Sequence, residues 1–280
     1  MHMSAIYDPS KPLISIHIPK TGGTTVGAQL RSWFKKGYLR HRSNVDKGTE
    51  QSNNALENYQ CIHGHFNRFK NQGVDNCYPQ AQQFITFLRD PFEQHASLYF
   101  HKIDRAANPR PNANSLVEPP TETFEKFILD IKEGSREIPG TFVDIFMDTP
   151  VGAQALGGHN GLHSDKLTEA GEVKTLSGSM RLMIGHLPER FLPFNANTLF
   201  VNDFIHIGIT EMLSASMMLL AKKLNKVYVE LPPRNVSQRT MTINPALRAE
   251  HQKLFPNEHA FYEKIKELHR LELIEAGIAV

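Results

Sequence analysis

The sequence predicts a three-layer α/β/α domain built on a central parallel sheet. Short β-prone runs alternate with stretches of helical length along the chain, and this alternation is typical of parallel sheets covered by helices. A glycine-containing loop joins the first predicted strand to the first predicted helix, an arrangement that binds phosphates at the helix N-terminus. The chain has 280 residues, of which 40% are hydrophobic, so we expect one domain with a sizeable core.

Each element follows from local composition. Runs rich in β-branched and aromatic residues predict strands at 13–18, 61–66, 83–88 and within 197–208. Helical patterns predict helices at 24–36, from Pro91 to about 103, at 210–224, and once or twice from Pro245 onward. The polar segment 38–58 is predicted to be a surface excursion, and the Pro- and Asn-rich segment 104–123 a loop.

Charge and cysteine content narrow the class of protein. The 31 basic and 29 acidic residues give a net charge of +2, which does not favour a nucleic-acid-binding surface. No apolar run approaches the length of a membrane span. Cys61 and Cys77 are too few for a disulfide framework and suit a reducing compartment, so we expect a cytoplasmic protein. The oligomeric state is not indicated by the sequence.

The loop after the first strand has the composition of a phosphate site. Glycines let backbone N–H groups converge on an anion, while lysine and threonine add charge and hydroxyl donors. The lysine precedes the glycines, unlike the Walker A loop, in which it follows them. The alternative is an ordinary strand-to-helix turn. The residues concerned are Pro19, Lys20, Thr21, Gly22, Gly23, Thr24 and Thr25.

A second phosphate ligand is predicted at the end of the third strand. Arg89 lies where open α/β sheets bind ligands. Ser97 follows about two helical turns later, so Arg89 could fork onto a phosphate while Ser97 donates from the side. The alternative is a structural pair between Arg89 and Asp90.

The run Cys61-Ile62-His63-Gly64-His65 allows three interpretations. In a strand, Cys61, His63 and His65 would share one face. They could be buried core residues, they could bind zinc together with a remote ligand, or a histidine could act as a general base.

Several motifs together carry a family resemblance. Over roughly residues 13–240 the chain resembles the heparan sulfate 2-O-sulfotransferase-like branch of the sulfotransferases. The motifs are His17-Ile18-Pro19-Lys20-Thr21-Gly22-Gly23-Thr24-Thr25, His63-Gly64-His65, Leu88-Arg89-Asp90-Pro91, Ser97-Leu98-Tyr99 and Ile207-Gly208-Ile209-Thr210-Glu211.

The resemblance implies a fold similar to that of P-loop nucleotide kinases. It also implies 3′-phosphoadenosine 5′-phosphosulfate (PAPS) as the donor and a hydroxyl-bearing acceptor, expected to be a carbohydrate. Lys20 and its loop would hold the 5′-phosphosulfate, and Arg89 with Ser97 the 3′-phosphate. His65 matches the catalytic histidine of the family and His63 its companion. No metal is expected, because fixed donors neutralise the leaving group.

The chain departs from the family pattern at one position, and two further residues outside the matching motifs are candidates for the site. Gln94 stands where the family usually has an Arg, which removes a supporting ion pair. Arg234, in a proline-stiffened basic loop, is either a further phosphate ligand or an exposed side chain. His186 follows a second Gly-His pair and is expected to be structural, with lining of the acceptor cleft as the alternative.

We therefore expect one domain over residues 1–280 with four functional parts. They are a donor-binding core at 13–103, acceptor-binding loops and helices at 104–185, a late strand, helix and nucleotide-closing loop at 197–240, and C-terminal helices at 245–280. Two other functions stay open, an ATP- or GTP-dependent small-molecule kinase and a non-catalytic nucleotide-binding module. Nucleotide preference separates them from a sulfotransferase.

Overall fold

The computed structural model contains one five-stranded parallel sheet. It describes residues 6–41, 55–66, 74–78, 81–108, 120, 123–132, 204–230, 244–254 and 256–279. The strands are β1 (Leu13–Ile16), β2 (Tyr38–His41), β3 (Cys61–Gly64), β4 (Gln83–Leu88) and β5 (Phe204–Ile209), in the spatial order β2-β3-β1-β4-β5. All four pairings are parallel, and β1 is the central strand.

Helices follow most of the strands. They are α1 (Gly23–Phe34), α2 (Val74–Cys77), α3 (Pro91–Ala107), α4 (Phe124–Lys132), α5 (Leu213–Lys223), α6 (Pro245–Leu254) and α7 (Pro256–Glu275). Short 3₁₀ turns at Lys35–Gly37 and Thr210–Met212 precede β2 and α5.

Alternate residues of the strands pack on opposite faces of the sheet. Leu13 and Ile85 pack with Leu30 of α1 and Leu220 of α5 on one face. Ile14 and Ile16 belong to the cluster on the other face, together with Tyr262 and Ile265 of α7. Both faces are therefore covered, as buried parallel strands require, and the predicted three-layer α/β/α architecture is confirmed.

A third apolar cluster packs α3, α4 and α6 together. Phe92 and Tyr99 of α3 contact Phe124 and Phe127 of α4, and Leu247 of α6 joins the cluster. This cluster fixes α3 from the side, and α3 in turn fixes the residues at the end of β4.

Two predictions about elements were wrong. Residues 38–41 were predicted to lie in a surface excursion, but they form the edge strand β2, whose Arg40 is exposed. An edge strand with mostly half-exposed residues lacks the hydrophobic pattern that identifies buried strands. Residues 104–107 were predicted to be loop, but they continue α3.

Candidate active site at the carboxyl edge of the sheet

The parallel register brings the predicted site residues to one edge of the sheet. Ile16, the last residue of β1, lies opposite Gly64 of β3 and Thr86 of β4. The segments that follow these strands therefore meet at the carboxyl edge, where open α/β sheets bind ligands.

The loop between β1 and α1 has the backbone of an anion site. Lys20 and Gly22 have positive φ angles of 68° and 76°, the left-handed conformation that turns successive N–H groups toward one point. The Thr21 hydroxyl donates to the Ile18 carbonyl at 2.9 Å, and the Gly22 carbonyl accepts from the Thr25 amide at 2.9 Å. A non-glycine residue in this conformation costs about 1–2 kcal/mol, so the loop is held in shape by its surroundings.

The N-terminus of α1 suits a negatively charged ligand. Gly22 stands at its N-cap and provides no side-chain cap, and the first turn contains no acidic residue. The partial positive charge of the helix end therefore faces no carboxylate of its own first turn. An uncapped helix N-terminus of this kind can bind an anion.

The residue at position 23 must be a glycine, because the ring of His17 lies very close to its backbone. A Cβ atom built at this position would lie 1.8 Å from Nε2 of His17. The second glycine of the pair therefore makes room for His17, and any other residue would displace that ring.

Three imidazoles stack beside the loop. The His17 ring lies between those of His63 and His65, with centroid distances of 5.2 Å and 4.1 Å. Burial lowers the pKa of His17 well below its ordinary value, and the neighbouring His65 and His63 act in the same direction. All three rings are therefore expected to be neutral at pH 7.

His65 has a fixed tautomer. Its Nδ1 lies 2.9 Å from the His17 carbonyl oxygen, and a carbonyl can only accept, so Nδ1 carries the proton and Nε2 the lone pair. Desolvation lowers the pKa of His65, the bond to the His17 carbonyl opposes this, and Arg40 lowers it further. His65 is exposed, so its basic Nε2 is available to a ligand.

His63 has the environment of a core residue. It is 5% exposed, and its Nδ1 lies 2.9 Å from the Ser15 hydroxyl. Burial lowers the pKa of His63 to about 3, with a smaller contribution from His65. Of the interpretations considered for this strand, burial in the core describes His63.

The zinc alternative at this strand is not supported. β3 ends at Gly64, so His65 lies beyond the strand and does not continue its face. Cys61 is fully buried on the α1 side of the sheet. Within the described residues, the ligand atoms of Cys61, His63 and His65 do not all three lie within 4.8 Å of one another.

The Lys20 side chain is partly buried. Desolvation lowers its pKa to about 8, the charge of Arg89 acts in the same direction, and Asp104 opposes both. Two positive groups held this close at the end of a helix favour a polyanionic ligand, which would offset their repulsion.

Arg89 is tied to the loop and to the end of β5. Its Nη1 donates to the Lys20 carbonyl at 3.1 Å, and its Nε lies 3.9 Å from Glu211. Glu211 also accepts from the Asp90 amide at 3.1 Å and from the Tyr262 hydroxyl at 2.7 Å. Asp90 caps α3 and pairs with Arg248 at 3.0 Å. These bonds place the guanidinium of Arg89 beside Lys20.

Comparison with known proteins gives the family. A model of the sulfotransferase family matches residues 3–145, which is half of the chain. The chain belongs to the sulfotransferase family. No curated protein matches it significantly.

Among solved structures, this chain is similar to mouse sulfotransferase SULT7A1, whose crystal structure is a complex with PAP. The two are 14% identical with a TM-score of 0.39, over 89% of this chain and 66% of the mouse chain. This chain thus spans slightly less than two thirds of the mouse structure.

Ser97 is a half-buried residue of α3. Gln94, three residues earlier, donates from Nε2 to the Pro19 carbonyl at 2.9 Å. Asp104, seven residues later, is close enough to influence the pKa of Lys20. An α-helix has 3.6 residues per turn, so we expect Ser97 on the same face of α3 as Gln94 and Asp104.

Some predicted residues lie outside the described part of the chain. Arg234 and His186 are among them, as is most of the expected acceptor-binding region at 104–185, of which 104–108, 120 and 123–132 are described. No helix in the described ranges has both the length and the apolar character needed to cross a membrane.

Three residues of the site have contacts that the sequence did not reveal. His17 appeared only as part of a motif, yet its ring stacks on both other histidines. Its position directly after a buried strand was the available signal. Gln94 was treated as the loss of an Arg, whereas it anchors the Pro19 carbonyl. Glu211 joins the β4 and β5 ends through bonds that local sequence does not reveal.

Proposed function

We propose that the protein transfers a sulfuryl group from PAPS to a hydroxyl group of a carbohydrate acceptor, with His65 as the general base. The observation that carries the proposal is the bond between Nδ1 of His65 and the His17 carbonyl, at 2.9 Å. It orients an exposed imidazole at the carboxyl edge with its lone pair directed away from the protein backbone. A base in this form can accept a proton from a hydroxyl group as that hydroxyl attacks.

The donor would be held at both of its phosphate ends. We assign the 5′-phosphosulfate to the loop 19–25, whose left-handed turns and uncapped helix end suit an anion. We assign the 3′-phosphate to Arg89 and Ser97. Arg234 is proposed as an additional phosphate ligand on the strength of the sequence alone.

The chemistry would be in-line displacement at sulfur. His65 takes the hydroxyl proton on Nε2 while the acceptor oxygen forms its bond to sulfur. The bond between sulfur and the bridging oxygen breaks, and its electron pair stays on the 5′-phosphate of the departing adenosine 3′,5′-bisphosphate (PAP). Lys20 and the amides at the start of α1 stabilise this growing charge. In this scheme His63 supports the site through His17 and does not contact the acceptor.

We further propose that residues 1–280 act as one domain, in which 104–185 supply most of the acceptor site.

Transfer of labelled sulfate from PAPS to a panel of carbohydrate acceptors tests the proposal. ATP with a labelled γ-phosphate serves as the control donor. Sulfated product that depends on Lys20, with Lys36→Ala as the matched control on the exposed turn after α1, is the expected result. Phosphorylated product would instead identify a kinase, and binding of PAP with no transfer to any acceptor would identify a non-catalytic nucleotide-binding module.

A further inference from the structure

A second group of buried polar side chains lies between β5 and α7. His206 of β5 is 1% exposed and His269 of α7 is 2% exposed. Possible ligand atoms of His206, His269 and Glu272 all lie within 4.8 Å of one another. In the part of the chain that the structure describes, this is the only group of three His, Cys, Asp or Glu side chains so placed.

Among the described residues, His206 has no hydrogen-bond partner. Neither Nδ1 nor Nε2 contacts a donor or an acceptor among the described residues. A neutral imidazole always has one N–H donor and one acceptor nitrogen, and leaving a buried polar group without a partner costs about 1–3 kcal/mol. A Cβ at Gly208 would lie 2.3 Å from the Phe87 ring and 2.9 Å from Nε2 of His206, so the glycine leaves space for both rings.

The hydrogen bonds of His269 leave one nitrogen for a further ligand. The Ser216 hydroxyl oxygen lies 2.7 Å from its Nε2, accepts from the Ile209 amide at 3.0 Å and reaches the Ile209 carbonyl at 3.1 Å. All three bonds are satisfied together only when the hydroxyl donates to the carbonyl and Nε2–H donates to the hydroxyl. Nδ1 then carries a lone pair, and it has no hydrogen-bond partner among the described residues.

We propose that His206, His269 and Glu272 bind one divalent transition-metal ion of the zinc class. Two imidazoles with one carboxylate are a common zinc ligand set, with water as a fourth ligand. His269 and Glu272 are three residues apart on one helix, so they share a face. Ligand atoms around a tetrahedral zinc lie about 3.3 Å apart, so small side-chain rotations from the present separations complete the site.

Lys223 occupies the cation position beside Glu272. Its Nζ lies 3.0 Å from each Glu272 carboxylate oxygen and 2.9 Å from the Ile205 carbonyl. The metal ion must displace this ammonium group, which weakens binding. A neutral side chain of similar length in place of Lys223 therefore strengthens metal binding.

The bound ion would clamp α7 to β5 at the edge of the sheet. β5 continues into Thr210 and Glu211, which bind the Leu88 carbonyl and the Asp90 amide at the end of β4. The ion therefore stabilises the frame of the active site without contacting the reacting groups. This role is independent of the proposed function.

Titration of the chelator-stripped full chain with Co²⁺, followed by its visible d–d absorption, tests the site. We expect one tetrahedral Co²⁺ per chain, displaced by Zn²⁺. Affinity should fall about 100-fold or more in His206→Phe and Glu272→Gln, because even residues that only support ligands are worth 10–100-fold. Lys223→Met should bind more tightly than the wild type. Zn²⁺ should raise the Tm of the wild type and leave that of Glu272→Gln unchanged.

His65→Ala is the matched control, since it removes an imidazole from the other histidine group and should leave Co²⁺ affinity unchanged. Circular dichroism checks that each variant folds. If His206→Phe does not fold, the Co²⁺ affinity of Glu272→Gln tests the site, because Glu272 is only half-buried. The proposal is overturned if the wild type binds no stoichiometric Co²⁺ or Zn²⁺. It is equally overturned if folded His206→Phe and Glu272→Gln bind Co²⁺ as tightly as the wild type, or if His65→Ala abolishes binding.

Discussion

The affinity for PAP should depend on pH through Lys20. In the nucleotide-free protein the pKa of Lys20 is lowered to about 8 by desolvation and by Arg89. A bound phosphate adds negative charge beside the ammonium and raises its pKa in the complex. Binding therefore takes up a proton above pH 8, and affinity must fall as pH rises through that value.

The size of the effect follows from the pKa. About 90% of Lys20 is protonated at pH 7 and about 10% at pH 9. If the pKa of Lys20 in the PAP complex is well above 9, the Kd for PAP rises about tenfold from pH 7 to pH 9. This corresponds to a loss of about 1.4 kcal/mol in binding free energy. The phosphate groups of PAP do not titrate in this interval, because their second pKa is about 6.

Isothermal titration calorimetry from pH 7 to pH 9.5 measures the slope directly. Lys20→Arg is the matched control, because a guanidinium stays protonated throughout, and its Kd should be independent of pH. A wild-type Kd that does not change with pH, or an equal slope in Lys20→Arg, would refute the reasoning. The same pKa shift makes the nucleotide-free protein more stable as pH rises from about 8 toward 10.5, since the unfolded chain holds this proton more tightly.

Three further predictions concern the nucleotide, the glycine loop and metal removal. PAP should bind about tenfold or more tightly than AMP, because AMP lacks the phosphate assigned to Arg89 and Ser97; equal affinities in calorimetry would contradict the assignment. Gly23→Ala should lower kcat about tenfold or more, because a Cβ 1.8 Å from the His17 ring displaces the stack that supports His65; an unchanged kcat would remove His17 from the account. Chelation should lower Tm and leave kcat at low temperature unchanged, as calorimetry and activity assays on the same sample will show; loss of kcat would place a metal in the chemistry.

Buried strands were predictable from the sequence, whereas the edge strand was not. β4 was predicted at its observed bounds, because Gln83–Leu88 is a continuous β-prone run flanked by polar residues. β1, β3 and β5 were found within a few residues for the same reason. β2 was missed because pairing with β3 stabilises it, and its own residues do not mark it.

Some residues of the candidate site could be proposed from the sequence, and others could not. The loop 19–25 and Arg89 could be proposed from the sequence, because glycine, lysine and arginine at strand ends have few structural uses. The roles of His17 and Glu211 depend on contacts with residues far away in the chain. His206 and His269 are separated by more than sixty residues and meet only because α7 packs on β5.

Turnover of His65→Ala is the most direct test of the central claim. This variant should lose about 10²–10⁴-fold in kcat, the usual contribution of a general base, while its Kd for PAP should be unchanged. His63→Ala should lose less in kcat and more in Tm, because its ring is buried and bonded to Ser15. Near wild-type turnover in His65→Ala would contradict the account: an inactive His63→Ala would then reverse the assignment, and two active variants would make His186 the next candidate.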